Sequence, residues 1–169
     1  MSTPYPTEYR PCVGLLVINR DGHIWLGERL DARNDAEGLG TWWQMPQGGI
    51  DEGEDAITAA MRELREETGI TSAKIIAETE SWHHYDFPAH FATKAWGGKY
   101  RGQKQKWFAL RFNGPDDEID ISSPEPNLPP EFGLWRWSPK TALIDNVVDF
   151  KRAIYSAVLE EFDPLIIPA

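Results

Sequence analysis

Residues 48–70 read GGIDEGEDAITAAMRELREETGI, and this stretch decides how the rest of the chain is understood. Asp55 is a helix-capping residue, Ile57, Ala60, Met61 and Leu64 recur at helical spacing, and Gly69 supplies a stop, so the pattern predicts a helix over 55–68. Within it, Glu63, Glu66 and Glu67 stand at i, i+3 and i+4 and project from one face, beside the apolar stripe. Gathering like charges in this way is unfavourable unless something positive compensates. Hard divalent cations with oxygen ligands, Mg²⁺ or Mn²⁺, are natural partners for such a face. Taken alone, the helix is better described as a solvated acidic surface paired with Arg62 and Arg65, since helical surfaces are commonly charged.

Working outward, Arg10–Ile18 and His23–Arg29 read as strands joined by the turn Asn19-Arg20-Asp21-Gly22. A polar loop is expected over 31–40, then a short extended run over Trp42–Pro46. Ala73–Thr79, Trp82–Phe87, Lys104–Phe112 and Leu134–Trp137 read as further strands, with an irregular loop over 124–130. Val147–Phe162 is predicted as a closing amphipathic helix with Val148, Ile154, Val158 and Leu159 toward the core. Strands mixed with two main helices imply an α/β sandwich, a single domain over 1–169 with its core about 9–162.

Hydrophobic residues at 41% and charged residues at 26% are ordinary globular usage, enough to bury a core in a chain of 169 residues. Eight Trp exceed what packing requires, a hint that some meet a ligand. The lone cysteine, Cys12, beside a buried strand, excludes a disulfide framework. No segment has the length or apolarity of a membrane span or signal peptide, so a reducing, cytoplasmic setting with no membrane partner is expected. A formal net charge of −10 argues against gripping DNA or long RNA by its backbone. It does not argue against a phosphate substrate, and the stretch 89–114 carries Lys94, Lys99, Arg101, Lys104, Lys106 and Arg111 without one acid.

From Gly48 the pattern is G-x5-E-x7-R-E-L-x-E-E-x-G-I, defined by Gly48, Glu54, Arg62, Glu63, Leu64, Glu66, Glu67, Gly69 and Ile70. It matches the Nudix box at every defined position, which tips the acidic face toward metal binding. Beyond the box, Tyr9-Arg10-Pro11, the run Trp43–Ile50, Gly102–Phe108, Pro130-Glu131-Phe132, Trp135-Arg136-Trp137 and Val148–Lys151 resemble the branch of bacterial RNA 5′-pyrophosphohydrolases and dinucleoside polyphosphate hydrolases.

The resemblance implies a Nudix fold, a mixed β-sheet in an α/β/α sandwich, with a divalent metal held by Glu63, Glu66 and Glu67 together with Gly48. Glu131 joins from a distant loop. It also implies substrate contacts at Arg10, Arg29, Tyr85, Phe150 and Lys151. Core packing for Phe150, strand packing for Tyr85 and plain surface charge for the cations remain open at this point. Arg62 can orient a neighbouring carboxylate through charge-assisted hydrogen bonds. Lys104, Lys106 and Arg10 are candidates to hold a polyphosphate tail, and Glu66, Glu67 or Glu131 to take the proton from the attacking water. The expected reaction is removal of pyrophosphate from the 5′-triphosphate end of RNA. The alternatives are cleavage of diadenosine tetraphosphate to ATP and AMP, a Nudix enzyme for an oxidised nucleotide or ADP-ribose, and a non-catalytic nucleotide- or RNA-binding module.

Overall fold

The computed structural model describes residues 5–30, 42–122 and 128–169. The polar loop expected over 31–40 and most of the irregular loop over 124–130 lie outside the described residues. The longest hydrophobic run of the chain forms β1 (Glu8–Ile18), and it runs parallel to β7 (Tyr100–Arg111) in register from Tyr9↔Gly102 to Ile18↔Arg111. On one side, β2 (Ile24–Arg29) follows β1 through a turn in which Asn19 Oδ1 accepts from the backbone N–H groups of Asp21 and His23 at 3.0 and 2.9 Å. Antiparallel to β2 lie β3 (Trp43–Gln44) and β8 (Phe132–Ser138). On the other side, β5 (Lys74–Glu78) and β6 (His83–Asp86) pair antiparallel with β7, while β4 (Gln47–Gly49) pairs with β1. The sheet is therefore mixed, as expected.

Alternation along β1 divides the core between the two faces of this sheet. Val13, Leu15 and Val17 pack with Ala59, Ala60 and Leu64 of α1 (Ala56–Thr68). Leu16 and Ile18 turn the other way, onto Ile154, Tyr155, Val158 and Phe162 of α3 (Arg152–Phe162). A sheet with a helix on each face is the sandwich the sequence implied. Each fully buried aliphatic or Phe side chain here contributes about 1.5–3 kcal/mol relative to exposure. Cys12 is buried, in keeping with a structural role, and burial pushes its thiol up to about 11.

Three details differ from the sequence reading. Ile57 is 53% exposed, and Ala59 takes its place in the buried stripe, because small side chains let α1 approach the sheet closely. The closing helix starts at Arg152, not Val147: Asp149–Lys151 is a 3₁₀ turn in which Lys151 N–H bonds Val148 O at 3.0 Å. Last, β7 begins at Tyr100, since its first residues are held by pairing with β1 and β6 and carry no alternation signal of their own.

Candidate functional site

Asp55 caps α1 by accepting from Thr58 N–H at 2.7 Å, and Gly69 ends it with φ 75°, a conformation that other residues adopt only at a cost. Between these ends the helix presents its carboxylates to a cleft of about 330 Å³. Glu63 and Glu67 line it from α1, and Glu131 lines it from the loop before β8, pinned there by Leu30 N–H to Glu131 O at 3.1 Å. Gly48 and Gly49 of β4 form part of the wall. A Cβ at position 48 would lie 2.0 Å from the Glu63 carboxyl carbon, so only glycine leaves room for that carboxylate.

Arg62 organises the acidic end. Its Nε and Nη2 donate to both Glu54 oxygens at 2.8 Å, Nη2 also donates to Gly49 O at 2.8 Å, and Nη1 reaches Glu63 at 2.9 Å and Glu66 at 3.1 Å. The bidentate pair holds the Glu54 carboxyl well below the usual range. Glu66 is thus turned to Arg62 and is not among the lining residues. Glu67 accepts from Gln47 N–H at 3.2 Å.

Burial pushes the Glu63 carboxyl up to about 7, and burial with the nearby Glu131 and Glu63 charges raises Glu67 well above its ordinary value. Arg62 and Arg10 offset part of this at Glu63, and Arg29 part of it at Glu67, yet desolvation wins at both. No three of the described His, Cys, Asp and Glu side chains form a ready-made metal-binding group. The donor set nevertheless fits a hard divalent cation: it is all oxygen, anionic and gathered around one cleft.

The same cleft collects most of the other sequence candidates. Arg10, Arg29, Tyr85, Phe150 and Lys151 all line it. Tyr85 and Phe150 stand 5.4 Å apart with their planes tilted by 33°. The 3₁₀ turn brings Lys151 inward, where its Nζ donates to Gln44 Oε1 at 3.0 Å and burial, with Arg29 nearby, lowers its pKa to about 7. Arg29 lies 3.9 Å from Glu131.

Lys104 and Lys106 are not brought to the cleft. On β7 the odd positions face it: Gln103 lines it, Gln105 donates to Gln103 at 2.9 Å and to Gln47 at 3.4 Å, and Trp107 Nε1 donates to Gln105. Strand alternation turns the even positions to the opposite face, where the Lys104 ammonium sits 5.4 Å from the Trp82 ring. Neutralising both, as Lys104→Gln with Lys106→Gln, is therefore expected to change KM by less than about twofold, screened as they are by solvent and salt. A tenfold rise in KM in steady-state kinetics would restore them to the site.

Sequence reasoning missed Gln44, Gln47, Gln103, Phe87, Phe91 and Trp96, all of them lining residues. For Gln103 the available signal was the alternation of Gln and Lys leading into the buried Trp107; the other five carried none.

Comparison with known proteins shows which family the chain belongs to. The NUDIX domain family model matches residues 8–158. The chain is 50% identical over 159 residues to an RNA pyrophosphohydrolase of Rhizobium meliloti (strain 1021), spanning 94% of this chain and 95% of that protein. It is 48% identical over 157 residues to an RNA pyrophosphohydrolase of Roseobacter denitrificans, spanning 92% of each. Among solved structures, the binary complex of a C. elegans Ap4A hydrolase superposes with a TM-score of 0.62 at 21% identity, over 92% of this chain and 97% of that one, a likeness of fold. The extent of the family match and the identity over nearly the whole length leave one conclusion: this chain belongs to the Nudix family.

Proposed function

We propose that this chain removes pyrophosphate from the 5′-triphosphate end of RNA, with Mg²⁺ or Mn²⁺ as its metal and a reducing cytoplasm as its setting. Nudix hydrolases generally work with divalent metal ions. The observation that carries the reading is the joining, in one cleft, of Glu63, Glu67 and Glu131 with the Tyr85–Phe150 ring pair and the cations Arg10, Arg29 and Lys151. High identity to proteins named RNA pyrophosphohydrolases points the same way.

In this reading, Glu63, Glu67 and Glu131 would hold the cation from the cleft, Glu66 would join them by turning from Arg62, and Gly48 makes space for Glu63. A bound divalent cation supplies Lewis acidity toward the phosphoryl oxygens and the attacking water. The residues of the chain do the rest. Arg62 fixes the helix carboxylates in place, and one carboxylate takes the proton as the water oxygen bonds to phosphorus. The phosphoanhydride P–O bond breaks, leaving pyrophosphate and a 5′-monophosphorylated RNA. The first nucleobase stacks at Tyr85 and Phe150, a mode indifferent to sequence. That indifference favours diadenosine tetraphosphate as a second substrate, since it too presents a nucleoside on a charged chain.

The deciding assay offers 5′-triphosphorylated RNA and diadenosine tetraphosphate side by side to the purified protein with Mg²⁺ or Mn²⁺. Pyrophosphate release from RNA supports the proposal; conversion of the dinucleotide to ATP and AMP with RNA untouched reverses the order of the two readings.

The raised carboxyls give a test that needs no substrate. Glu63 goes from an ordinary 4.5 to about 7 in the folded chain, so the metal-free protein has its full stability from this group below pH 4.5 and loses it as pH rises through about 7. A cation restores what ionisation removes, and protons compete with it at low pH. Saturating Mg²⁺ is expected to raise Tm by roughly 5 °C at pH 8 and by less than half of that at pH 5.5. Equal shifts at both pH values would contradict metal binding at these carboxylates.

A further inference from the structure

At the rim of the cleft, in the segment between α2 (Ala89–Ala92) and β7, Trp96 adopts φ 48° and ψ 39°. Among the described residues it is the sole non-glycine with positive φ. Bulky side chains avoid this left-handed region, and they persist in it only where the surroundings over-determine them. Core burial is not the cause, for Trp96 is 46% exposed. Its ring is fixed from several directions instead. It stacks on Phe87 at 5.4 Å with planes 20° apart and meets Phe91 and Tyr100 edge-on at 6.2 and 6.3 Å. The remaining contact is ionic in character: the Arg10 guanidinium carbon lies 4.8 Å from the indole centroid.

Arg10 is confined on its other side as well. Its Nη1 donates to the Cys12 sulfur at 3.6 Å, and a Cβ on Gly49 would come within 2.2 Å of its Nη2. These fixed neighbours are a sulfur, a bare stretch of backbone and an aromatic ring; the negative charge that Arg10 feels is that of Glu63, which lines the same cleft. A guanidinium held against an indole by cation–π attraction does not use its N–H donors in that contact, and those donors suit phosphate oxygens.

We propose that Trp96 is a positioning residue for substrate binding: it holds the Arg10 guanidinium over the cleft so that its edge meets the polyphosphate. This rests on the reading of Arg10 as a polyphosphate contact. A rigid cation loses less freedom on binding than a mobile one, so the effect falls on affinity and not on the chemical step.

The experiment is a double-mutant cycle on Trp96→Leu and Arg10→Ala, with Trp96→Phe as the conservative variant. It is read by steady-state kinetics on a 5′-triphosphorylated oligonucleotide, and on diadenosine tetraphosphate in parallel, at saturating Mg²⁺. Trp96→Leu is expected to raise KM roughly fivefold with kcat near the parent's, Trp96→Phe to recover most of that loss, and Trp96→Leu to add nothing once Arg10 is Ala. Independent, multiplying effects of the two substitutions would overturn the proposal, as would a fall in kcat at unchanged KM or a Phe variant no better than Leu. Should Trp96→Leu lose its far-UV circular dichroism, the cycle is run with Trp96→Phe, whose weaker coupling to Arg10 must still exceed zero. The two readings fail differently. If Arg10→Ala leaves KM unaltered, the reading of Arg10 falls and the role of Trp96 with it; if Arg10→Ala raises KM but is uncoupled from Trp96, the positioning role alone falls.

Discussion

Glu67→Gln is expected to fold as the parent does and to lose at least about a thousandfold in kcat, because it deletes one anionic ligand from a cleft whose chemistry depends on charge neutralisation. The stability half of this expectation comes from the burial of Glu67, which raises its pKa and makes its ionised form costly in the metal-free fold. Glutamine has the same shape without the charge, and its carbonyl oxygen still accepts the hydrogen bond that Gln47 N–H now donates at 3.2 Å. Metal-free melting is therefore expected to stay level or rise at pH 8, while the added Tm that Mg²⁺ confers shrinks. Glu131→Ala tests the far wall in the same way: it removes a half-exposed loop carboxylate, so melting should hardly change while kcat falls sharply. A Glu67→Gln enzyme within tenfold of the parent at saturating metal would remove this residue from the proposed centre.

How much of this was legible depended on whether the signal was local. Three carboxylates on one helical face follow from spacing alone, and the caps Asp55 and Gly69 stand where the sequence puts them. Strand faces are harder. Both faces of β7 are buried at Trp107 and Phe108, so hydrophobicity there does not say which of the preceding alternate residues, Gln or Lys, turns into the cleft. Charge suggested the lysines; the register with β6, where Tyr85 faces Gln103, decides for the glutamines. Neutral Gln44, Gln47 and Gln103 carried no electrostatic flag of their own. Glu131 was visible only through a family motif, since a loop carboxylate far along the chain has no spacing relation to α1. The sequence pattern places Phe150 and Lys151 in a helix, whereas they occur in a 3₁₀ turn, whose tighter path gives them a different direction from helical positions. Ile57 shows the reverse error: its hydrophobicity outweighed geometry that favours the smaller Ala59.

Gly48→Ala is expected to leave every charged group of the site in the chain and still to lower kcat by roughly a hundredfold, through displacement of about 1 Å. The added methyl would overlap the Glu63 carboxylate, 2.0 Å from Cδ and 2.2 and 2.3 Å from its oxygens. Glu63 has little room to yield. Its carboxylate is hydrogen-bonded to Arg62 at 2.9 Å, and Arg62 is in turn locked to both oxygens of Glu54 and to Gly49 O. Movement of β4 is opposed as well, because Gly48 pairs with Val13 in the central strand β1. The strain therefore falls on the Glu63 side chain, which must leave its position or break the bond to Arg62. A cost of about 1–3 kcal/mol in stability accompanies overpacking of this kind, a loss that the rest of the fold tolerates. Circular dichroism and a melting curve check that the variant is folded, and single-turnover kinetics at saturating metal measure the chemical step. If the folded variant turns over substrate at near-parental rate, the close approach of Gly48 to Glu63 is not what the site requires of position 48.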